Sequence, residues 1–358
     1  MAPPHERPAL PVPDRYLDAP AGAAAASAAA TAWRDFSSDS SLNALVDLAL
    51  ANNRDLRSAL LRVEEARAAY GIQRSDRLPT IAAALDAARA RVPGDLNVSG
   101  RPVVGSQFQL GVGLSSWELD LWGRVRSLNE AALQSYLATD AARRAATSSI
   151  VAQVANSYLG LLEYDKRLAL ARRTVANRAE SLHIFRRRVE LGATSRLELT
   201  QVDLLWRQAS ALVAQLEQAR ATQAHALALL VGAPIDLPPA GDRLDGAAMF
   251  RAVEPGIPSD LLLQRPDIVA AEHALKAANA NIGAARAAFF PRIALTGSLG
   301  TASAALDGLF KSGSSAWTFA PSISLPIFDG GRRQASLDLA TVRRDQAITA
   351  YEQVVQSA

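Results

Sequence analysis

From Arg124 to Leu191 the chain runs for 68 residues without a proline and with a single glycine, Gly160. A helix of that length would extend about 100 Å, and few globular domains can hold one. Within it Val154, Leu161, Leu168, Val175, Leu182 and Val189 recur every seven residues. The companion positions Val151, Tyr158, Asp165, Arg172, Ala179 and Arg186 include three charges. One seam position is apolar and the other mixed, which predicts a long, left-handed coiled packing. Gly192-Ala193-Thr194-Ser195 then breaks the helix. Gly192 suits a left-handed cap, and Ser195 can cap the next helix. That helix is expected over roughly Arg196 to Val231, with a seam of Leu205, Ala209, Leu212, Leu216, Ala219, Ala226 and Leu230, interrupted only by Gln223. The two helices form an antiparallel hairpin whose tip is Glu190, Leu191, Gly192, Ala193, Thr194, Ser195, Arg196 and Leu197.

A second constraint is an internal repeat. Thirty residues from Asn52 to Ile81 align without a gap on Gln264 to Ile293, at an offset of 212. Asp55 falls on Asp267, Ala66 on Ala278, Gly71 on Gly283, Arg74 on Arg286, Pro79 on Pro291 and Ile81 on Ile293. Each copy is a helical pattern that ends at proline, where the preceding residue leaves the α region, and passes into alternating sequence. The first of these helices is expected to start at Ser40-Ser41 and run toward Tyr70.

The alternation marks two-faced strands. Phe108, Leu110, Val112 and Leu114 alternate with Gln107, Gln109, Gly111 and Gly113; their partner strand is Thr80 to Val92. In the second copy Ile293, Leu295 and Leu299 alternate with small polar residues, as do Trp317, Phe319, Ile323 and Leu325. Proline and glycine residues from Pro93 to Pro102, and a small polar stretch from Ser303 to Ser315, connect the pairs. These patterns divide the chain into three parts. Residues 1–35 form a proline- and alanine-rich extended arm. Residues 36–240 are the first repeat, with strands near 80–92 and 106–117 and the hairpin over 124–231. Residues 241–358 are the second repeat, opened by a proline- and glycine-rich link, with strands near 292–303 and 316–326. Its last helix starts near Gly331, and the repeat pattern implies a final hairpin that the chain truncates.

Four strands cannot close a barrel, for which about eight are needed. An open sheet with Phe108, Leu110, Trp317 and Phe319 on one face invites aggregation. Closure by oligomerisation resolves this. Lipid then suits the apolar face (Phe108, Leu110, Val112, Leu114, Trp317, Phe319, Ile323, Leu325), and the small polar face lines a lumen. Pro79, Gly123, Pro291 and Gly331 mark the corners between helices and strands.

Composition excludes several classes. With no cysteine there are no disulfides or thiolate metal sites. A net charge of +3 from 38 basic and 35 acidic residues gives no case for nucleic acid. The proline-rich start is not a signal peptide. His5, His183, His225 and His273 are scattered and form no metal-binding or nucleophile–base pattern, so the residues point to no enzyme, cofactor or metal. The triple Arg186-Arg187-Arg188 fits a solvated face.

The run Trp117-Glu118-Leu119-Asp120-Leu121-Trp122-Gly123-Arg124 resembles the strand-to-helix corner of the outer-membrane efflux channel family of the TolC/OprM type. So does Leu325-Pro326-Ile327-Phe328-Asp329-Gly330-Gly331-Arg332. The most specific match is Asp260-Leu261-Leu262-Leu263-Gln264-Arg265-Pro266-Asp267-Ile268, continuing through Ile282-Gly283 to Phe290-Pro291. The resemblance begins near residue 33 and is nearest to the OprM-like lipoprotein branch. It implies a mainly helical fold with a transmembrane β part: a homotrimer with a twelve-stranded barrel in the outer membrane and a helical barrel in the periplasm. It implies no catalysis but a passive exit duct for drugs or other small toxic compounds. The implied partners are a periplasmic adaptor (membrane fusion protein), which meets the hairpin tip, and an RND-type inner-membrane pump. A lipid anchor on a cysteine outside these residues is expected. A soluble periplasmic coiled-coil structural or adaptor protein is the alternative. It accounts for the hairpin but not for four alternating strands with aromatics.

Overall fold

The computed structural model describes residues 2–8, 32–236, 249–250 and 264–358. Most of the expected 1–35 arm, most of the 232–258 link and Asp260–Leu263 lie outside these. The elements in chain order are α1 (Trp33–Phe36), α2 (Ser40–Asn52), α3 (Arg54–Ser75), β1 (Thr80–Val92), β2 (Val103–Glu118), α4 (Arg124–Glu190), α5 (Arg196–Val231), α6 (Pro266–Ala287), β3 (Arg292–Ser303), β4 (Ser315–Ser324) and α7 (Arg332–Ser357). A short 3₁₀ turn interrupts each strand-to-strand loop, at Gly94–Leu96 and Leu306–Gly308. The chain divides into two compact units. One comprises Met1–Val12, Val63–Asp140 and Ile268–Ala358; the other comprises Pro13–Arg62 and Ala141–Asp267.

The second unit is built on the hairpin. Leu42, Leu45, Val46 and Ala49 of α2 pack with Ile150, Val154, Tyr158, Leu161 and Leu162 of α4 and with Leu227 and Val231 of α5. Fully burying each of the larger apolar side chains contributes about 1.5–3 kcal/mol. Asp39 accepts hydrogen bonds from the amides of Ser41 and Leu42 at 2.7 and 3.2 Å, and from the Tyr158 hydroxyl at 3.0 Å. One carboxylate therefore both caps α2 and satisfies a buried phenol.

Two expectations need correction in this unit. The single helix from Ser40 toward Tyr70 is two helices, broken at Asn53. That residue is extended; its side-chain oxygen accepts from the Leu56 amide at 2.8 Å, and its amide group donates to the Leu230 carbonyl at 2.7 Å. A side chain that caps a new helix while tying it to α5 outweighs continuation of the old one. The α5 seam also differs. Leu205, Leu212 and Ala226 are exposed, whereas Leu216, Leu227 and Val231 are buried, with Val202, Trp206, Ala209 and Val213 half-buried. Gln223 does not interrupt this stripe but belongs to it. Its side chain donates to the backbone carbonyl and hydroxyl of Ser157 at 2.9 and 3.1 Å. The charged companion positions of α4 are likewise used: Asp165 pairs with Arg220, and Arg172 with Glu217 at 2.7 Å. On α4 four of the six expected apolar seam positions, Val154, Leu161, Leu168 and Leu182, are buried, and Val175 and Val189 are half-buried.

The first unit holds one antiparallel sheet in the order β1-β2-β3-β4. Gly111 faces Gly300 across the β2–β3 pair, where a Cβ on Gly300 would lie 2.2 Å from the Leu110 carbonyl oxygen. Only a backbone without side chains permits that approach. In the same unit α6 buries Ile268, Leu275 and Ile282 together with Glu272. Residues of the N-terminal arm lie against it. Arg7 pairs with Glu272 at 3.0 Å, His5 approaches the same carboxylate at 3.4 Å, and Lys276 pairs with it at 2.9 Å. Further along, a Cβ on Gly283 would sit 2.8 Å from both the Ala2 nitrogen and the Ser127 hydroxyl, so the helix is notched where the arm crosses it.

Burial alone would raise the Glu272 carboxyl, but hydrogen bonds from Lys276 and Arg7, with their charges, outweigh it and hold the pKa at about 2 against an ordinary 4.5. A depressed carboxylate stabilises the fold fully above its unfolded pKa, and this contribution is lost as pH falls through the folded one. Thermal stability is therefore expected to drop across the window from about pH 4.5 to about 2, and Glu272→Gln should flatten that part of the Tm–pH curve. An unchanged slope in the variant would remove Glu272 from the account.

Candidate functional site

The β register decides which side chains share a face. Leu85 pairs with Leu110 and Leu110 with Thr301; Ala83 pairs with Val112, Val112 with Leu299, and Leu299 with Trp317; Ile81 pairs with Leu114, Leu114 with Gly297, and Gly297 with Phe319. One face of the four-stranded sheet therefore carries Ile81, Leu85, Phe108, Leu110, Val112, Leu114, Leu299, Trp317, Phe319 and Ile323. Of these, Ile81, Leu85, Val112, Leu299, Trp317, Phe319 and Ile323 are exposed large hydrophobics. The opposite face carries Ala82, Ala84, Asp86, Gln109, Gly111, Gly113, Thr296, Ser298, Ala316 and Thr318, and these, together with Leu110, Val112, Leu114, Leu299 and Trp317, border a concavity of about 450 Å³. The sheet is thus apolar on one face and carries small and polar residues on the other.

Seven of the eight residues expected on the apolar face lie together on it. Leu325 does not belong to a strand, because β4 ends at Ser324 and Pro326 follows, a residue that cannot donate to a ladder. A register shift between Leu114 and Trp117 is not legible in the sequence. The extra residue at Ser115-Ser116 is a bulge that returns Trp117, paired with Leu295, to the apolar face. The edge strands β1 and β4 are exposed along their whole lengths of 13 and 10 residues.

At the corners, glycine and aspartate act together. Gly123 has φ +75°, a left-handed conformation, and Asp120 accepts from the amides of Val125 and Arg126 at 3.0 and 2.7 Å. Gly331 has φ +86°, and Asp329 accepts from the amides of Gly331 and Arg333 at 3.1 and 3.2 Å. The glycines turn the chain and the carboxylates meet the open amides of the helix N-terminus. Pro79 and Pro291 lie one residue before β1 and β3. The Trp122 indole donates to the Pro291 carbonyl at 2.8 Å and stacks on Phe290 at 5.0 Å. Glu118, whose side chain is 10% exposed, accepts two hydrogen bonds from Arg124 at 2.8 and 2.7 Å and pairs with Arg292 at 2.7 Å. One carboxylate thereby joins the end of β2, the start of α4 and the start of β3.

At the hairpin tip, the Ala193 amide donates to the Arg188 carbonyl at 2.8 Å and the Gly192 amide to the Val189 carbonyl at 3.0 Å. With Gly192 at φ +67°, this is a Schellman ending. Ser195 and Glu198 then form a capping box that starts α5. Leu191 and Leu197 are left exposed on either side of the turn. Arg187 pairs with Glu190 at 2.9 Å, and Arg188 lies over Phe185. Among the described residues no three histidine, aspartate or glutamate side chains are grouped to hold a metal ion. No described helix is long and apolar enough to cross a membrane.

The corner geometry carries a prediction. Glu118→Leu leaves two guanidinium groups without their shared carboxylate and should cost about 1–3 kcal/mol, whereas Arg292→Ala, at a side chain over half exposed, should cost about 0–1 kcal/mol. Denaturant unfolding of the two variants checks the order; equal costs would contradict it.

Among known proteins, the family model described as Outer membrane efflux protein matches residues 45–233 and 257–358. Outer membrane protein OprJ of Pseudomonas aeruginosa is 47% identical over 360 residues, covering 100% of this chain and 75% of that protein. The solvent efflux pump outer membrane protein SrpC of Pseudomonas putida is 45% identical over 327 residues, covering 91% of this chain and 69% of that one. Among solved structures, the open state of the Neisseria gonorrhoeae MtrE outer membrane channel superposes with a TM-score of 0.86 at 40% identity, covering 100% of this chain and 79% of that one. A membrane protein from Pseudomonas aeruginosa gives a TM-score of 0.90 at 44% identity, covering 100% and 78%.

Proposed function

Since this chain belongs to the outer membrane efflux protein family, we propose that it is the outer-membrane exit channel of a tripartite efflux pump. The observation that carries the reading is the division of the sheet into an apolar face and a small, polar, hollowed face, with both edge strands open. Three copies side by side supply twelve strands and close the edges. The apolar face of Phe108, Leu110, Val112, Leu114, Trp317, Phe319 and Ile323 then meets lipid, and the hollowed face lines the lumen. Cargo passes through without chemistry, driven by the inner-membrane pump.

In this reading the hairpin reaches into the periplasm, and its tip, Glu190 to Leu197, contacts the adaptor. Two exposed leucines on a rigid, doubly capped turn suit such a contact, because little conformational entropy remains to be lost. Cargo is a class of small toxic compound, as the solvent pump named for one relative suggests. The fold is read as a duplication, 36–240 and 241–358. Helices α3 and α6 both span 22 residues, and α3, α6, β1 and β3 all begin at positions separated by the repeat offset.

Leu110→Arg and Phe319→Arg test the lipid face. Each puts a charge on the lipid side, at a cost of about 2–4 kcal/mol near the bilayer midplane. The expected outcome is loss of the detergent-extractable membrane form, measured by fractionation after a high-salt wash. Unchanged membrane assembly in both variants would reverse the assignment of the faces. Release of the unsubstituted protein by salt alone would favour a soluble coiled-coil protein.

A further inference from the structure

The apolar face of β1 does not stay apolar to its end. The residues on that face, from the helix end toward the loop, are Ile81, Ala83, Leu85, Ala87, Arg89 and Arg91. From Ile81 to Arg89 the strand rises by eight residue steps, which is about 27 Å of strand and roughly 20 Å along the membrane normal at the tilt of a barrel strand. An outer-membrane barrel carries an apolar band about 25 Å tall. The two arginines therefore fall at the far rim of the band, where side chains leave the acyl region and reach the headgroups. Charge on the lipid side is tolerated there and not at the midplane.

Both arginines are exposed, and neither side chain makes a hydrogen bond or ion pair with a described residue. Their cross-strand neighbours on the face are Ser106 and Val104, so no carboxylate answers them. Asp86 is on the opposite face, in the hollow, and Asp95 lies beyond the strand in the 3₁₀ turn. Two unanswered guanidinium groups, spaced two residues apart on one face above an apolar stripe, complement an amphiphile with acyl chains below and phosphate above. A guanidinium binds phosphate with paired, charge-assisted hydrogen bonds.

We propose that Arg89 and Arg91 form a binding site for the phosphate groups of an anionic lipid in the outer leaflet, whose acyl chains lie along Ala87, Leu85 and Phe108. The inference rests on the apolar face being the lipid face. In a closed trimer the site occurs three times around the rim.

The test uses the full chain, reconstituted in phosphatidylcholine nanodiscs containing a minor fraction of lipid A, a diphosphorylated, acylated disaccharide. Lipid A retained after transfer to detergent is quantified by mass spectrometry. Near an anionic surface each arginine contributes about fivefold, so Arg89→Ala with Arg91→Ala should reduce retention roughly thirtyfold, and Arg89→Ala alone about fivefold. Enzymatically dephosphorylated lipid A should be retained as poorly by the unsubstituted protein. Equal retention by all three proteins, or of the dephosphorylated lipid, overturns the proposal. Full displacement of lipid A by inorganic phosphate also overturns it, since the site would then take a free anion. The two readings fail separately. If Leu110→Arg and Phe319→Arg assemble normally, the lipid face itself is wrong. If they do not assemble while the arginine variants retain lipid A normally, only this inference falls.

Discussion

Everything in the first unit answers to the two open edges of a four-stranded sheet. Strands β1 and β4 each leave a row of backbone donors and acceptors unpaired. In water such rows template aggregation, and in lipid each unsatisfied group costs several kcal/mol. Closure through further strands satisfies both environments, and the described residues of one chain place no fifth strand in this sheet. The alternation of faces comes from the same constraint. A closed sheet has an inside and an outside, so each strand must alternate between side chains the lumen accepts and side chains the bilayer accepts. The paired glycines Gly111 and Gly300 fit that geometry, since they let β2 and β3 approach on the hollow side without filling it.

Strands held in this way must be joined to helices without leaving polar groups stranded. The joints are compact and similar in design: a left-handed glycine, an aspartate on the open amides of the next helix and, at the first corner, Glu118 bridging Arg124 and Arg292. The indole of Trp122 meets the Pro291 carbonyl and so ties the first corner to the second. Such joints fix where a strand enters its sheet, which sets register; a slip of one residue would invert both faces. In the hairpin the same economy appears in Asp165, Arg172 and Gln223. Each sits on a seam but finds a partner across it, Arg220, Glu217 and Ser157 respectively.

The large features are legible in the sequence because they are periodic. The seven-residue recurrence from Val154 to Val189 marks the long helix, and the alternation from Phe108 to Leu114 marks the apolar face. The features that escape a sequence reading are local and depend on distant partners. The break at Asn53 requires the Leu230 carbonyl, which lies 177 residues away. An α5 seam through Leu205 and Leu212 is the natural expectation, because leucine is the more apolar choice. The partner helix instead accepts Val213, Leu216 and Gln223, and Gly160 leaves room for the glutamine amide. The bulge at Ser115-Ser116 has no signature beyond two serines. The arginines at the end of β1 look like ordinary strand-end charges until the register places them on the apolar face.

The central claim, that one face of this sheet meets lipid and the other water, can be measured position by position, and the absence of cysteine makes the chain ready for it. Single cysteines at Gln109, Leu110, Val112 and Gly113 would each carry a nitroxide spin label in reconstituted membranes. Collision with oxygen, which concentrates in lipid, is compared with collision with a water-soluble nickel chelate. The account predicts oxygen-dominated relaxation at Leu110 and Val112 and chelate-dominated relaxation at Gln109 and Gly113. The same preference at all four positions, or the reverse alternation, would contradict it.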